Sequence, residues 1–505
     1  LRQTSSIANL LTLLSFNSTS PINFGLDTYI KKITKMKSLV TISLILAFSV
    51  LNAFSQDISG VWHGNTKTQD GKEILFVFLF EKNQESYRTT MAIPTFDVSG
   101  IKLKSTSLKE GKLTIDGSDL GMKYQGVWNE STSQIEGTYS EGGVKLVLAL
   151  IKGNPNMAFA KRPQVPLTPY PYFEEKVNFE NTKANVFLAG TFTRPAQEGK
   201  YPVVILISGS GRHDRDGSMM THRPFLVLSD YLTRNNIAVL RYDDRGFGES
   251  TGDFNKATTA DFAEDVLSAV SYLESREDIN TKQIGLIGHS EGGIIAPLAA
   301  NQTSDISFIV TLAGTGILGS EIVVQQSKKM RPFPVPDEAA FEKNVRNSIK
   351  IASSTNEISQ IKEELTLHNT AYLTPILKSL GASDENISKF IENEVKTGLK
   401  PWSKYFYNYN PANEFEKLNI PVLSLNGSKD TQVNASLNQD AIRTALIKGN
   451  NKNYKIVELE NMNHLFQECK TGKIDEYKDI EQTMSPIVMK EISNWILEII
   501  RLNEG

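Results

Sequence analysis

The rest of the chain is organised around Ile284-Gly285-Leu286-Ile287-Gly288-His289-Ser290-Glu291-Gly292-Gly293. A short apolar run ends in a match to Gly-x-Ser-x-Gly, and a small-residue helical pattern follows. A strand that breaks into a helix through so tight a turn holds its serine in a strained, exposed conformation, with the hydroxyl clear of the backbone. Flanking glycines keep side chains from colliding where strand and helix nearly touch. The plainer alternative is a β–α loop in which Ser290 caps the helix. The five letters alone recur by chance, so the surrounding pattern carries the weight.

That pattern alternates strand and helix on both sides of the stretch. Residues 175–179 and 184–193 predict an antiparallel pair, and 201–208 is a continuous apolar run typical of a strand buried on both faces. A helix is expected over 223–235, a second buried strand over 237–242, and an amphipathic helix over 259–275 with Phe262, Val266, Val270 and Leu273 on one face. After the central stretch, 306–313 predicts another buried strand. Such alternation marks an α/β fold with a doubly wound, mostly parallel sheet. The pattern stops between about residues 314 and 413, where helical stretches are broken by Pro332, Pro334 and Pro336. An insertion there, at the carboxyl edge of the sheet, would sit over the crevice where ligands bind, so it is expected to be a helical cap. Strands at 420–426 and 454–459 resume the sheet, and an amphipathic helix over 486–501 closes the α/β domain at 172–501.

Upstream the texture differs. Residues 57–152 carry short β-branched and aromatic runs bounded by Gly, Asn, Asp and Ser, which predicts a small all-β N-terminal domain, barrel or sandwich. Trp62 is expected in its core, and the domain reads as a packing module or as a ligand- or glycan-binding accessory. Residues 153–171 hold five prolines and form a linker. Met36-Lys37, an apolar run over 39–51 and Ala53-Phe54-Ser55 read as a signal peptide over 36–55, with cleavage before Gln56. The run is short of the roughly 20 apolar residues that span a bilayer. Residues 1–35 read as a non-native extension. The expected location is periplasmic or secreted, with no stable membrane anchor.

Composition is that of an ordinary globular chain. A net charge of −3 over 505 residues, with no basic stripe, predicts no nucleic-acid partner. The one cysteine, Cys469, excludes an internal disulfide and a Cys-based zinc site. No cofactor and no metal are implied. The oligomeric state is not readable from sequence.

A serine nucleophile needs a base, because its hydroxyl is protonated at neutral pH. Of six histidines, His63 falls in the β domain, His368 in the insertion, and His213 and His222 flank the loop after residue 208. His289 adjoins Ser290 but would point away from the hydroxyl. His464 follows the last predicted strand on the edge where the serine opens, so it is the expected base. Asp430, after the strand at 420–426, is the expected orienting acid; Asp440, inside a helical pattern, is a poorer choice. The chain order Ser290, Asp430, His464 is that of an α/β-hydrolase. The expected oxyanion donors are the backbone N–H groups of Glu291 and of Ser210, the latter in the Gly209-Ser210-Gly211 loop. Asp243 and Arg245 are expected to brace the site as an ion pair.

Together these residues resemble the α/β-hydrolase superfamily over roughly 172–501. Gly209-Ser210-Gly211 with Asp214-Arg215-Asp216-Gly217, Asp243 to Ser250, Gly288 to Gly293, Pro401 to Phe406 and Asn426 to Val433 are similar to secreted bacterial carboxylesterases of the EstD-like, serine aminopeptidase-like group. One departure is Ser208-Gly209, where many hydrolases have His-Gly. The resemblance implies hydrolysis of small to medium acyl esters by Ser290, Asp430 and His464, with a small-molecule ester as the partner. A serine peptidase, a thioester hydrolase or acyltransferase, and a ligand-binding protein with a degenerate hydrolase domain are the alternatives.

Overall fold

The computed structural model describes residues 57–67, 73–83, 86–94, 98–153, 162–196 and 198–504. The expected leader, its cleavage point before Gln56, the extension before it and residues 154–161 of the linker lie outside the described residues.

Among the described residues, nine strands make up the N-terminal module: β1 (Gly60–Lys67), β2 (Glu73–Asn83), β3 (Ser86–Ile93), β4 (Val98–Lys102), β5 (Ser105–Lys109), β6 (Lys112–Gly117), β7 (Met122–Asn129), β8 (Gln134–Glu141) and β9 (Val144–Lys152). They pair antiparallel in the order β2-β1-β9-β8-β7-β6-β5-β3-β4, and a β2–β3 ladder closes the sheet on itself. Closure removes the exposed edges that an open sheet presents. Alternate residues fill the interior: Phe76, Phe78 and Phe80 from β2, and Met122 and Tyr124 from β7. Trp62 is fully buried there, edge-on to Trp128 with ring centroids 5.8 Å apart. Two details depart from the sequence reading. The sequence predicts one strand over 100–107, which the structure splits between β4 and β5, with Leu103 N–H donating to Thr89 O. Strand β7 was not anticipated, because Lys123, Gln125 and Gly126 dilute its β signal although its inward row alternates cleanly.

The second sheet has eight strands: β10 (Tyr172–Asn181), β11 (Val186–Pro195), β12 (Tyr201–Ile207), β13 (Ala238–Tyr242), β14 (Ile279–His289), β15 (Ile306–Leu312), β16 (Val422–Gly427) and β17 (Tyr454–Leu459). Their order is β10-β11-β13-β12-β14-β15-β16-β17, antiparallel through β11–β13 and parallel from there on. Helices α1 (Pro224–Arg234), α2 (Thr259–Glu274) and α3 (Gly292–Ala300) connect the central strands. Thr258 and Asp261 cap α2 reciprocally, each side chain accepting from the other's backbone N–H.

The apolar run of β12 explains the layering. Val203, Ile205 and Ile207 join one core with Val266 and Val270 of α2 and Ile295 of α3. Val204 and Leu206 join the opposite core with Phe225 and Leu228 of α1. A strand apolar at every position therefore has a helix layer on each face, and each fully buried Leu, Ile or Val side chain contributes about 1.5–3 kcal/mol.

Between β15 and β16 the chain leaves the sheet and forms α4 (Gly319–Met330), α5 (Glu338–Ala352), α6 (Ile358–Ser379), α7 (Asp384–Gly398), α8 (Pro401–Asn408) and the short α9 (Ala412–Phe415). This insertion has a small core of its own, including Leu365, Leu373, Ile387 and Ile391. Ile322 of α4 and Phe406 of α8 pack against Ile294 of α3, the helix that follows Ser290. The remaining helices are α10 (Ala435–Lys448), α11 (Ile474–Tyr477) and α12 (Pro486–Glu504). Helix α10 adds Ile442 to the first core, and α12 adds Val488, Ile492 and Trp495 to the second.

Candidate active site

Ser290 sits at the turn from β14 into α3 with φ +54°, the left-handed region that non-glycine residues rarely adopt. Holding it there costs about 1–3 kcal/mol, which the surroundings must supply. Ser290 N–H donates to Leu312 O at 2.8 Å, and Ser290 O accepts from Gly293 N–H at 2.9 Å. The turn closes so tightly that a Cβ on Gly288 would lie 1.9 Å from Gly292 O, and one on Gly292 would lie 2.2 Å from Ile207 O. Only glycine fits either place. The N-cap of α3 is Glu291, with no side-chain capping bond, so the capping alternative for Ser290 falls.

The sheet order makes β12 and β14 the switch point: β12 connects outward to β13, and the chain returns to the other side of β12 as β14. A crevice opens at such a point, beyond the carboxyl ends of the strands. Ser290 follows β14, the Gly209-Ser210-Gly211 loop follows β12, Asp430 follows β16 and His464 follows β17. His464 Nδ1–H donates to Asp430 Oδ2 at 2.6 Å, with both side chains buried. The other carboxylate oxygen, Oδ1, accepts the Gln432 and Val433 backbone N–H groups at 2.8 Å each. The carboxylate is thus pinned, and the imidazole is left with its basic lone pair on Nε2. Ser290, His464, Ser210 and Glu291 all line one cavity of about 180 Å³, together with Ile322, Gln326, Trp402 and Phe406 from the insertion.

The other histidines have different tasks. His289 Nε2–H donates to the carbonyl of His464 at 2.8 Å, and burial pushes its pKa down to about 3, so it stays neutral and steadies the loop that carries His464. His222 is buried between Thr483 and Tyr477 O, at 2.9 Å from each, and burial lowers it to about 4. His213 reaches the cavity wall, its Nε2 3.2 Å from Ser210 O. His63 lies in β1 and His368 in α6. Asp440 is on α10, paired with Arg443.

The loop that holds Ser210 is clamped at both ends by one acid. Asp244 accepts from Ser208 Oγ at 2.6 Å and from His213 N–H at 2.7 Å. Within the loop, the Ser210 backbone N–H donates to no protein acceptor among the described residues, and the same holds for Glu291. Both amides are therefore available to an anionic oxygen. Asp243 and Arg245 do not pair with each other. Asp243 binds Arg215 at 2.7 Å, and Arg245 binds Asp265 at 2.6 Å, so each ties the strand-end loop to a different element.

The carboxylate of Glu291 was missed by sequence reasoning, which assigned this residue a backbone role only. It is buried and accepts three bonds: from Trp402 Nε1 at 2.6 Å, Thr259 Oγ1 at 2.7 Å and Ser210 Oγ at 2.8 Å. Burial raises its pKa, and the three donors oppose that rise. One side chain thereby joins the turn at Ser290, the Ser210 loop, the start of α2 and helix α8. The available signal was the acid itself, since a carboxylate inside a buried turn has to find donors.

Parts of this chain are similar to known proteins. Residues 216–371 match the family described as serine aminopeptidase, S33. That segment contains Ser290 and ends before Asp430 and His464. Esterase EstD of Thermotoga maritima is 25% identical over 334 residues, covering 65% of this chain and 70% of that protein. Putative hydrolase YtaP of Bacillus subtilis is 34% identical over 125 residues, covering 21% of this chain and 41% of its own length. Among solved structures, the Pyrococcus furiosus esterase Pf2001 aligns over 68% of this chain and 97% of its own, with 16% identity and a TM-score of 0.42.

Proposed function

Because this chain belongs to the α/β-hydrolase superfamily and is esterase-like within it, we propose that it is a serine hydrolase that cleaves carboxylic esters of small to medium acyl groups. Ser290 Oγ attacks the acyl carbon while His464 Nε2 takes its proton. The negative charge that develops on the carbonyl oxygen is met by the backbone N–H groups of Glu291 and Ser210. His464 then gives its proton to the departing alcohol, leaving an acyl group on Ser290. Water attacks that acyl-enzyme with His464 again as base, which releases the acid and restores the serine. Asp430 keeps the imidazole oriented and stabilises its protonated form throughout. Helices α4–α8 act as the cap, with α4 and α8 supplying the apolar wall that limits the acyl group.

The observation that carries this reading is the 2.6 Å bond from His464 Nδ1 to an aspartate whose other oxygen is held by two amides, on the sheet edge where Ser290 occupies its left-handed turn. The test is labelling by a fluorophosphonate together with turnover of p-nitrophenyl butyrate. Ser290→Ala should abolish both, since loss of the nucleophile in such a unit costs about 10⁶ in rate. Full activity in that variant would end the proposal.

The family description raises a peptidase reading, in which a carboxylate must receive the substrate's α-amino group. Among the described residues lining the cavity the one carboxylate is Glu291, and its oxygens already hold three donors. The ester reading is therefore favoured, and comparison of aminoacyl anilides with simple esters separates the two. The protein is further proposed to act in the periplasm or outside the cell, after removal of residues 36–55. N-terminal sequencing of exported protein should begin at Gln56, and any other start refutes that cleavage.

A further inference from the structure

The prolines of residues 153–171 predict a linker, yet from Arg162 onward this segment is bonded into the α/β domain. Arg162 donates from Nε to Thr221 Oγ1 at 3.1 Å, from Nη2 to Met220 O at 3.1 Å and Lys478 O at 2.9 Å, and from Nη1 to Ile480 O. A guanidinium is a rigid fork of five N–H groups, so bonds to two separate segments fix the spacing between them. Gln164 grips the second segment further along. Its Oε1 accepts from Thr483 N–H at 2.6 Å and Met484 N–H at 3.1 Å, and its Nε2 donates to Met484 O at 2.7 Å.

Both segments reach the catalytic cavity, which Met219 and Met484 line. The turn from Met219 to His222 carries Met220 at φ +47° and Thr221 at φ +68°, two successive non-glycine residues in the left-handed region. Such strain persists only where the surroundings over-determine it. Met219 and His222 exchange backbone bonds of 3.0 and 2.8 Å across the turn, and Arg162 holds the two strained residues themselves. The second segment is joined in turn to the loop that carries His464. Ser485 N–H donates to Phe466 O at 2.8 Å, and Gln467 Nε2 donates to Gln482 O at 2.9 Å. Met484, Phe225 and Phe466 belong to one apolar core, whereas Ile322 and Phe406 of the insertion pack with Ile294 in another. The cavity thus has two walls of different origin, and the wall of Met219, Phe225 and Met484 stands on the side of His464.

We propose, resting on the ester-hydrolase reading, that Arg162 and Gln164 are positioning residues which fix this wall, and that the wall selects the alcohol half of the ester. The side follows from the proton. His464 protonates the departing alcohol, so that half of the substrate lies toward His464 and against the wall beside it. The acyl half is left to the wall of α4 and α8. Methionine side chains are unbranched and adaptable, so a wall of two methionines discriminates by size only while its backbone is held. Neither Arg162 nor Gln164 lines the cavity, and each acts through the backbone it grips.

The test uses the full chain and two substrate series followed by acid release. Ethyl, butyl and hexyl butyrate differ in the alcohol alone; ethyl acetate, butyrate and hexanoate differ in the acyl group alone. In Gln164→Ala, and in Arg162→Lys, which keeps the charge but loses the fork, the hexyl-to-ethyl ratio of kcat/KM for the butyrates should rise about tenfold over wild type. The hexanoate-to-acetate ratio should stay at its wild-type value. A merely structural strap lowers all the rates together and moves neither ratio, which overturns the proposal, as does an equal shift in both. With ethyl butyrate still cleaved, either result leaves the ester reading standing. If the wild type cleaves no ester, selection of an alcohol falls with that reading. Amide hydrogen exchange reads the strap without turnover, and Arg162→Lys decides should Gln164→Ala not fold. Exchange at Met219, His222, Thr483 and Met484 should quicken about tenfold, while Pro401–Asn408 exchanges as in wild type. Unchanged exchange at those four amides refutes the strap.

Discussion

Replacing Trp402 by phenylalanine removes one N–H and little else. The indole of Trp402 stacks on Phe406 with centroids 4.8 Å apart and planes 12° from parallel, a contact a phenyl ring can keep. Its Nε1–H donates to Glu291 Oε1 at 2.6 Å, the shortest of the three bonds on that buried carboxylate. Hydrogen bonds to charged groups contribute about 1.5–3 kcal/mol each. Thr259 continues to serve Oε1 in the variant, so the oxygen is not orphaned and the loss belongs at the lower end, about 1.5–2 kcal/mol. At about 1.4 kcal/mol per decade, the equilibrium for lifting α8 off the turn should rise roughly 10- to 30-fold. Amide hydrogen exchange over Pro401–Asn408 reads that number directly. Hydrolysis of p-nitrophenyl butyrate should fall with it, because Glu291 also holds Ser210 Oγ and so the oxyanion loop. A double-mutant cycle with Glu291→Gln should return a coupling of about 0.5–3 kcal/mol, as expected for side chains in contact. If exchange in α8 is unchanged by Trp402→Phe yet accelerated by Phe406→Ala, stacking alone holds the helix and the reasoning about the carboxylate is wrong.

Two further outcomes follow from the same geometry. Asp430→Asn keeps the shape but turns an acceptor into a donor facing His464 Nδ1, so kcat for p-nitrophenyl butyrate should drop about 10⁴-fold, and a loss under tenfold would refute the orienting role. Burial pushes the carboxyl of Asp244 from its ordinary 3.8 up to about 8. The folded chain therefore keeps a proton that the unfolded chain releases near pH 3.8, and the stability this contributes is full below that pH and lost as pH rises to about 8. Asp244→Asn can still accept the His213 N–H while Ser208 turns to accept. Denaturation midpoints of the wild type should then fall between about pH 4 and pH 8 relative to those of the variant, and parallel profiles would refute the assignment.

Much of the architecture was legible because periodicity is a local property. The run at 201–207 is apolar at every position, which only a strand covered on both faces tolerates, and both covering layers exist. The turn at Ser290 was legible for a related reason, since glycines at 288 and 292 announce a backbone approach that no Cβ permits. Strand β7 escaped because Lys123 and Gln125 face outward and obscure an inward row that needed the closed barrel to explain it. Asp243 and Arg245 misled in the opposite direction. Two residues apart in sequence, they look like a pair, yet each faces a different neighbour, Arg215 and Asp265, that the chain order does not put beside them.

The sequence by itself determined the alternation of strand and helix, the turn at Ser290, and the strand ends where Asp430 and His464 stand. These depend on side-chain pattern and backbone sterics within a dozen residues. Tertiary structure alone decided which atoms meet. The three donors on Glu291 come from 32, 81 and 111 residues away, and the carboxylate is satisfied only because β12, α2 and α8 converge on one turn. Helix α4 likewise has a cavity on each side, lined by residues from elements far apart in the chain. Burial and hydrogen-bond satisfaction are properties of the assembled surroundings, and no stretch of sequence contains its own surroundings.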